Sequence, residues 1–336
     1  MVSMKDIARE CNVSVATVSK ALNGQQDVGE ETRSRIRQKA EELGYMANSA
    51  ARALKTNRTF NIGVLFVDPM HGGLAHEFFS HVLDGVREES ERHGYDITFI
   101  NSTAGGRVGT YLQHCLYRGV DGVVIASADF ADPKVLELVH SRLPVVTIDH
   151  MFNDHVSVMS DNLRGMDALV RYAASMGHRD LALIHGEKTT VTMTRLTGFY
   201  RACEELGIVL REELIRESRF HDPERCYEIT REILKMKKRP TCIFFPDDYS
   251  YIGGYNALKE AGLSVPEDIS AVGYDGINLS RILSPVLTTW RQDTEGMGKT
   301  AAKSLIELIE RPKTAIRDRV IIRGSLQEGA SVRRLA

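Results

Sequence analysis

Beyond residue 60 the chain carries seven short apolar runs, at 62–67, 97–100, 122–125, 145–148, 181–184, 242–245 and 269–273, and helical-pattern stretches separate most of them. Runs of four to six residues without polar alternation suit strands buried on both faces, and helices between them demand parallel pairing. An α/β body is expected. Seven such units overfill one short sheet, so the body is expected to divide near Ser160 and Asp161 into two doubly wound parallel-sheet subdomains. A ligand would then lie in the crevice at the carboxyl ends of the strands.

The first sixty residues follow a different pattern. They hold 10 Lys and Arg against 7 Asp and Glu, whereas the whole chain of 336 residues has a formal charge of −2, so the head is positive and the body negative. An excess that small also occurs on any solvated helix face, and it only raises the expectation of a nucleic-acid partner. Ser3 and Asp6 have capping-box spacing for a short helix running to about Glu10. Ser14 can cap a second helix over 15–22, with Asn23 and Gly24 as its stop. Only about three residues join the two, and a turn that tight forces the steep crossing of a helix-turn-helix, whose second helix enters the major groove. Glu30, Glu31, Ile36, Ala40, Leu43 and Gly44 mark a third helix, with Ile7, Val18 and Ile36 sharing a core. The pattern alone also fits a three-helix bundle for protein contact.

Other signals bound the function class. The cysteines Cys11, Cys115, Cys203, Cys226 and Cys242 are scattered, without CxxC pairs or zinc spacing, and are expected as buried free thiols in a reducing compartment. With no apolar run of 18 residues and no apolar leader within 1–20, a cytoplasmic protein with no membrane partner is expected. Gly298-Lys299-Thr300 ends like a phosphate-binding loop, but Asp293 stands where the first glycine is required, and the segment reads as the start of a helix. No GxGxxG or GxSxG motif is present, and the pairs His71/His76 and His150/His155 are spaced by five rather than four residues. No catalytic residue, metal or cofactor is expected.

The residues themselves are more specific than the patterns. MKDIAR at 4–9, VSVATVSKALNG at 13–24, ETR at 31–33 and ELGY at 42–45 resemble the DNA-binding head of the lactose/galactose repressor family of bacterial transcription regulators. That resemblance places Val15, Ala16 and Lys20 at base-reading positions and Ser14, Thr17 and Ser19 near phosphates. Gly29 replaces a usual Ser cap, at a cost of a few tenths of a kcal/mol. Residues 48–55 read as an Ala-rich helix of roughly two turns, too short to hold alone in water. By resemblance it is the hinge helix that orders against a dimer mate on DNA, with Leu54 wedged into the minor groove and Lys55 against phosphate. A plain linker is the alternative.

The body is similar to the family's effector domain, itself like periplasmic sugar-binding proteins. The match is carried by FF at 78–79, GY at 94–95, GVDG at 119–122, DN at 161–162, GHR at 177–179, DD at 247–248, GYD at 273–275 and PVLTT at 285–289. It implies a head over 1–46, a hinge and linker over 47–59, a first subdomain of 60–160 with 292–319, and a second of 161–291 with 320–336. Arg195 and Asp275 match the family's ligand-gripping positions, Asp247 stands where Asn is common, and Asp149 ends a strand at the cleft. Paired carboxylates and a planar guanidinium suit vicinal hydroxyls, hence a carbohydrate effector. Phe220, Phe78 or Trp290 could stack on its apolar face. A strand-end Asp can equally cap the next helix, and a Phe there can be core. Where the family runs from its first strand into a short loop, this chain inserts about five residues before Phe78, with two histidines, His71 and His76. The implied function is that of a repressor controlled by a sugar or sugar derivative, binding pseudo-palindromic operator DNA as a homodimer. The alternatives are a purine- or phosphocarrier-responsive relative, a transport-type sugar-binding protein, and an enzyme on the same scaffold.

Overall fold

The computed structural model describes residues 2–22, 25, 27–45, 58–68 and 73–335. The chain divides into two compact units, Met1–Thr59 and Phe60–Ala336.

The first unit is built on α1 (Met4–Glu10), α2 (Val15–Leu22) and α3 (Glu30–Glu42). The Asp6 carboxylate reaches back to the Ser3 backbone N–H at 2.9 Å and takes the Ser3 hydroxyl at 2.7 Å, fixing the start of α1. Ser14 Oγ accepts the Thr17 N–H at 3.0 Å and so caps α2 as its position predicts. Between them Asn12 takes a left-handed backbone (φ 50°), which Asn tolerates and the tight turn requires. Ile7, Val18 and Ile36 do share a core, joined by Ala8, Cys11, Ala21, Val28 and Ala40. Arg35 donates to the Cys11 carbonyl at 3.3 Å, tying α3 to the turn. Gly29 precedes α3 without a side-chain cap.

The second unit holds two main sheets. Its strands are β1 (Asn61–Phe66), β2 (Asp96–Ile100), a small hairpin of β3 (Thr103–Ala104) and β4 (Arg107–Val108), β5 (Gly122–Ser127), β6 (Val145–Ile148), β7 (Val156–Ser160), β8 (Leu181–His185), β9 (Ile215–Glu217), β10 (Cys242–Phe244), β11 (Ser270–Val272), β12 (Thr289–Arg291), β13 (Arg319–Ile322) and β14 (Ser325–Gln327). The first sheet runs β13-β7-β6-β5-β1-β2 and the second β11-β10-β8-β9, each parallel throughout. Side chains alternate along each strand between two cores. In the second sheet Leu181 and Leu183 face α7 (Asn162–Ser175) and α8 (Thr190–Glu205), while Ala182 and Ile184 face α9 (Pro223–Leu234) and α10 (Tyr251–Glu260). Both faces are covered, which is why the strands read as continuous apolar runs. The expected free thiols are all buried.

In the first subdomain, α4 (Glu77–Arg92) and α12 (Thr294–Glu310) cover one face of the sheet with Val82, Val86, Met297, Ala301 and Leu305. Gly298 therefore lies inside α12, and Lys299 is paired with Glu88 and Glu295. Three crossings between subdomains are expected, and the chain passes out of the first sheet after Ser160 and back to its covering helix after Arg291. The third needs correction. Residues 319–322 pair with β7 in the first sheet, and Val320 and Ile322 pack on its core, so the chain crosses after Ile322 rather than near Arg319. The strands at 156–160, 215–217, 289–291, 319–322 and 325–327 add to the seven expected.

The α4–α12 crossing brings backbones together. A Cβ on Gly298 would stand 2.0 Å from the Val82 carbonyl oxygen, and one on Gly85 2.4 Å from that of Glu295. Gly298→Ala is expected to lower the unfolding free energy by about 1–3 kcal/mol, even though alanine is worth roughly 1 kcal/mol more than glycine inside a helix. Urea denaturation of both proteins measures the difference, and an unchanged midpoint would mean the two helices separate at no cost.

Candidate DNA-reading face and ligand cleft

Helix α2 turns Val18 and Ala21 into the core and leaves Ser14, Val15, Ala16 and Lys20 exposed, with Thr17 and Ser19 half-buried. A β-branched apolar side chain such as Val15, 41% exposed, gains nothing from packing at that place. Lys20 is ion-paired to Asp27. Exposed pairs of this kind are worth little and give way readily to a phosphate or a base. Leu54 and Lys55 lie outside the described residues.

In the body the two sheets each reverse strand order once, between β1 and β5 and between β8 and β10, and the candidate ligand residues follow the strands at their carboxyl ends. Arg195, on the second turn of α8, is only 7% exposed. Its Nε donates to Asn162 Oδ1 at 2.8 Å and its Nη1 to the Pro246 carbonyl at 2.9 Å. The guanidinium lies 3.5 Å from the Tyr274 ring centroid and 5.3 Å from that of Phe220. Asp275 stands 3.7 Å away, is buried, and adopts φ 103°. Gln292 Nε2 donates to Asp275 Oδ1 at 2.7 Å, while Gln292 Oε1 is buried with no partner. Asp149, half-buried at the end of β6 with φ 54°, accepts the Ser160 N–H at 2.9 Å.

Three carboxyls here are less acidic than usual. Burial pushes Asp275 up to about 6 against the opposing pull of Arg195, and burial also raises Asp149. Asp248 is raised well above the usual carboxylate range by burial and by the charge of Asp275; it accepts the Thr289 hydroxyl at 2.7 Å and the Ile277 N–H at 3.0 Å.

The remaining candidates separate. Phe220 is half-buried beside Arg195, and Phe78 is buried at the start of α4 where it lines a cavity of about 640 Å³ together with Asp275 and Gln292. Asp247 is fully buried, and much of its bonding capacity is already spent: it accepts the His221 N–H at 2.8 Å, the Ser250 N–H at 2.7 Å and the Ser250 hydroxyl at 2.8 Å. It holds the loop before α10, which is the capping role that a strand-end Asp often has. Trp290 is a correction. Its indole packs in the second subdomain's core with Met166, Leu169 and Tyr274, against Gly165 and Gly324, and not on the cleft wall. The sequence reading passed over Asn162, Tyr274 and Gln292. Asn162 and Tyr274 lie within matched motifs, Tyr274 beside Asp275, and Gln292 directly follows a crossing.

A helix-turn-helix head followed by two parallel-sheet subdomains with a polar cleft defines a DNA-binding regulator with a ligand-sensing body. Residues 3–48 match the profile of bacterial regulatory proteins of the lacI family, and residues 170–332 that of the periplasmic binding protein-like domain. The repressor PurR of Pasteurella multocida is 32% identical over 97% of this chain and 99% of its own length. The ribose operon repressor of Haemophilus influenzae is 34% identical over 96% of each. Among solved structures, the Lac repressor dimer bound to operator and the anti-inducer ONPF aligns over 99% of both chains with a TM-score of 0.80 at 24% identity. A regulator from Enterococcus faecium with bound ribose aligns over 82% of this chain and 100% of its own, with a TM-score of 0.70 at 26% identity. The chain belongs to the lacI family of bacterial regulatory proteins, and is a DNA-binding transcriptional repressor.

The raised Asp275 carries a pH dependence. With Asp275 in the ligand site, ligand hydroxyls would donate to the ionised carboxylate, and affinity for a hydroxylated ligand is expected to fall as pH drops through about 6, by roughly tenfold between pH 7 and pH 5. The linkage to folding has the opposite sense: a raised carboxyl stabilises the fold at acid pH, and that contribution is lost as pH rises through about 6. Calorimetric titration across this range, with Asp275→Asn alongside, measures it. An affinity flat with pH in the unaltered protein would remove Asp275 from the ligand site.

Proposed function

We propose that this repressor binds a sugar or sugar derivative in the cleft of its body, and that ligand binding releases it from a pseudo-palindromic operator gripped as a homodimer in the cytoplasm. The observation that carries the effector class is the pairing of a buried guanidinium with carboxylates. Among the described residues the hydrogen bonds to Asp149 and Asp275 go to Oδ1, and Arg195 presents a planar donor beside Asp275. Carboxylates take paired hydroxyls and the guanidinium gives a planar fork, which is polyol chemistry. The ribose bound by the Enterococcus faecium regulator and the ribose operon repressor among the relatives support the same class.

A purine effector is the second reading, favoured by the several PurR repressors among the relatives at 32–33% identity. A thermal-shift screen of sugars, sugar acids, sugar phosphates and purines separates the two, since a ligand at 100 times its dissociation constant adds about 2.7 kcal/mol. No residue set in the body is assigned to catalysis, in keeping with relatives that are transcriptional repressors.

A ligand moves operator affinity only if it prefers one conformation of the body, and such couplings are typically about 1–3 kcal/mol, or roughly 5- to 150-fold. Arg195→Ala and Asp275→Ala are expected to abolish the response to the screened ligand while operator binding without ligand survives. Gel-shift titrations with and without ligand test this, and unchanged midpoints in both variants would move the ligand elsewhere. In the proposed hinge, Leu54→Ala is expected to weaken operator binding and reduce DNA bending with ligand affinity intact, because the unstacking of a base step costs a few kcal/mol and the apolar wedge offsets it. Equal affinity and equal bend angle would remove the hinge assignment.

A further inference from the structure

The inserted loop places a histidine against the opposite wall of the cleft. Asp68 accepts the Gly73 N–H at 2.8 Å, closing the base of the loop, and a single 3₁₀ turn, Gly73–Ala75, leads to His76 at the start of α4. His76 Nδ1 accepts the Phe79 N–H at 3.5 Å, so the proton of the neutral ring sits on Nε2. That Nε2 is buried and has no acceptor among the described residues. The ring packs on Phe79, with centroids 4.8 Å apart, and meets His221 of the second subdomain edge to face at 3.7 Å.

His221 is itself held in place. It adopts φ 55°, its N–H is bound by Asp247, and its Nδ1 lies 3.6 Å from Asp247 Oδ1. A second link across the cleft runs from the Asn278 N–H to the Glu77 carboxylate. Glu77 and Phe78, next in the chain to His76, line the 640 Å³ cavity that reaches Asp275 and Gln292. Phe220, next to His221, covers a small hollow walled by Gly186, Thr192 and Arg195. The two histidines are thus flanked in sequence by residues of the cavity, Glu77 and Phe78, and of the hollow, Phe220. Burial and the neighbouring His221 hold His76 down to about 4, against the pull of Asp68 and Asp247, and the ring stays neutral at physiological pH.

We propose that His76 is a specificity-determining residue of this cleft: with His221 it closes one end of the site to a second ring, and it offers its Nε2–H to an oxygen of a single-ring polyol. This rests on the reading that the cleft holds a sugar. A buried donor without an acceptor is unfavourable, and a ligand oxygen supplies what the protein does not. An imidazole contact across the cleft also leaves no room for a disaccharide along that direction unless the pair parts.

Isothermal titration of the full chain with D-ribose, D-galactose and cellobiose tests the proposal, using His76→Ala, His76→Gln and His221→Ala, with melting curves to confirm folding. The unaltered protein is expected to bind at least one single-ring sugar and to prefer it to cellobiose. His76→Ala should shift that preference at least 30-fold towards cellobiose, His76→Gln should restore most of it by returning an N–H at similar reach, and His221→Ala should open the same end. Unchanged preference in His76→Ala and His221→Ala overturns the proposal while leaving the sugar reading intact. Imidazole ¹⁵N NMR without ligand supplies an independent readout. The Nε2–H tautomer of His76, titrating near 4 and moving upward in His221→Ala, supports the pairing. An Nδ1–H tautomer or an ordinary titration overturns it, whatever the ligand. If hypoxanthine binds and no sugar does, the sugar reading falls and the proposal falls with it.

Discussion

A buried guanidinium cannot shed its proton, so the structure around Arg195 must satisfy it or pay a desolvation cost. Asn162 at the start of α7, the Pro246 carbonyl after β10, the Tyr274 ring face and the Asp275 carboxylate each answer one part of that demand. They come from three separate segments of the chain, since Tyr274 and Asp275 are neighbours after β11, and the cation holds them in register. Its contact with Asp275 is the longest of these, and that leaves charge available to a ligand. Asp275 is also tied to the crossing strand: its N–H donates to the Trp290 carbonyl at 2.9 Å, its carbonyl accepts the Gln292 N–H at 3.0 Å, and its carboxylate accepts from the Gln292 side chain. A shift at the carboxylate is therefore felt where the chain passes between subdomains.

Much of this was legible in the sequence, for physical reasons that particular elements make clear. Helix α2 was read to the residue because Ser14 caps it and the apolar spacing of Val18 and Ala21 leaves only one inward face. The central strands were legible because helices cover both of their faces. Strand β7 was not, since Ser157 and Ser160 interrupt its apolar run; in the structure the Ser157 hydroxyl meets that of Thr147 at 3.0 Å, so a polar residue is satisfied inside the sheet. Strand β13 lies at the sheet edge, exposed on alternate residues, and RVII offers too short a pattern to separate from a loop. The third crossing was misplaced for that reason.

The ligand site was half legible. Arg195 and Asp275 stand 3.7 Å apart and the Arg195 charge also acts on Asp149, whereas Trp290 packs in the core, since an aromatic at the end of a strand serves a core as readily as a cleft. Gln292 and Asn162 escaped notice since an amide carries no charge and no periodicity to mark it. The loop before α4 stood out by its extra length and its two histidines. That its histidine lies against His221 is a long-range contact between residues 145 positions apart, and no local pattern encodes such a contact.

The corrected crossing bears on how the body can move. The chain passes between subdomains after Ser160, after Arg291 and after Ile322, and β12 and β14 beside two of those passages are hydrogen-bonded to each other. A single cord would let the two lobes swing and twirl at will. Three cords, two of them laced together, behave like the leaf of a door hinge, soft to bending about one line and stiff to shear and to rotation along their length. The lobes are thereby confined to something near one mechanical degree of freedom, and a molecule of modest size wedged between them has only that one motion to drive.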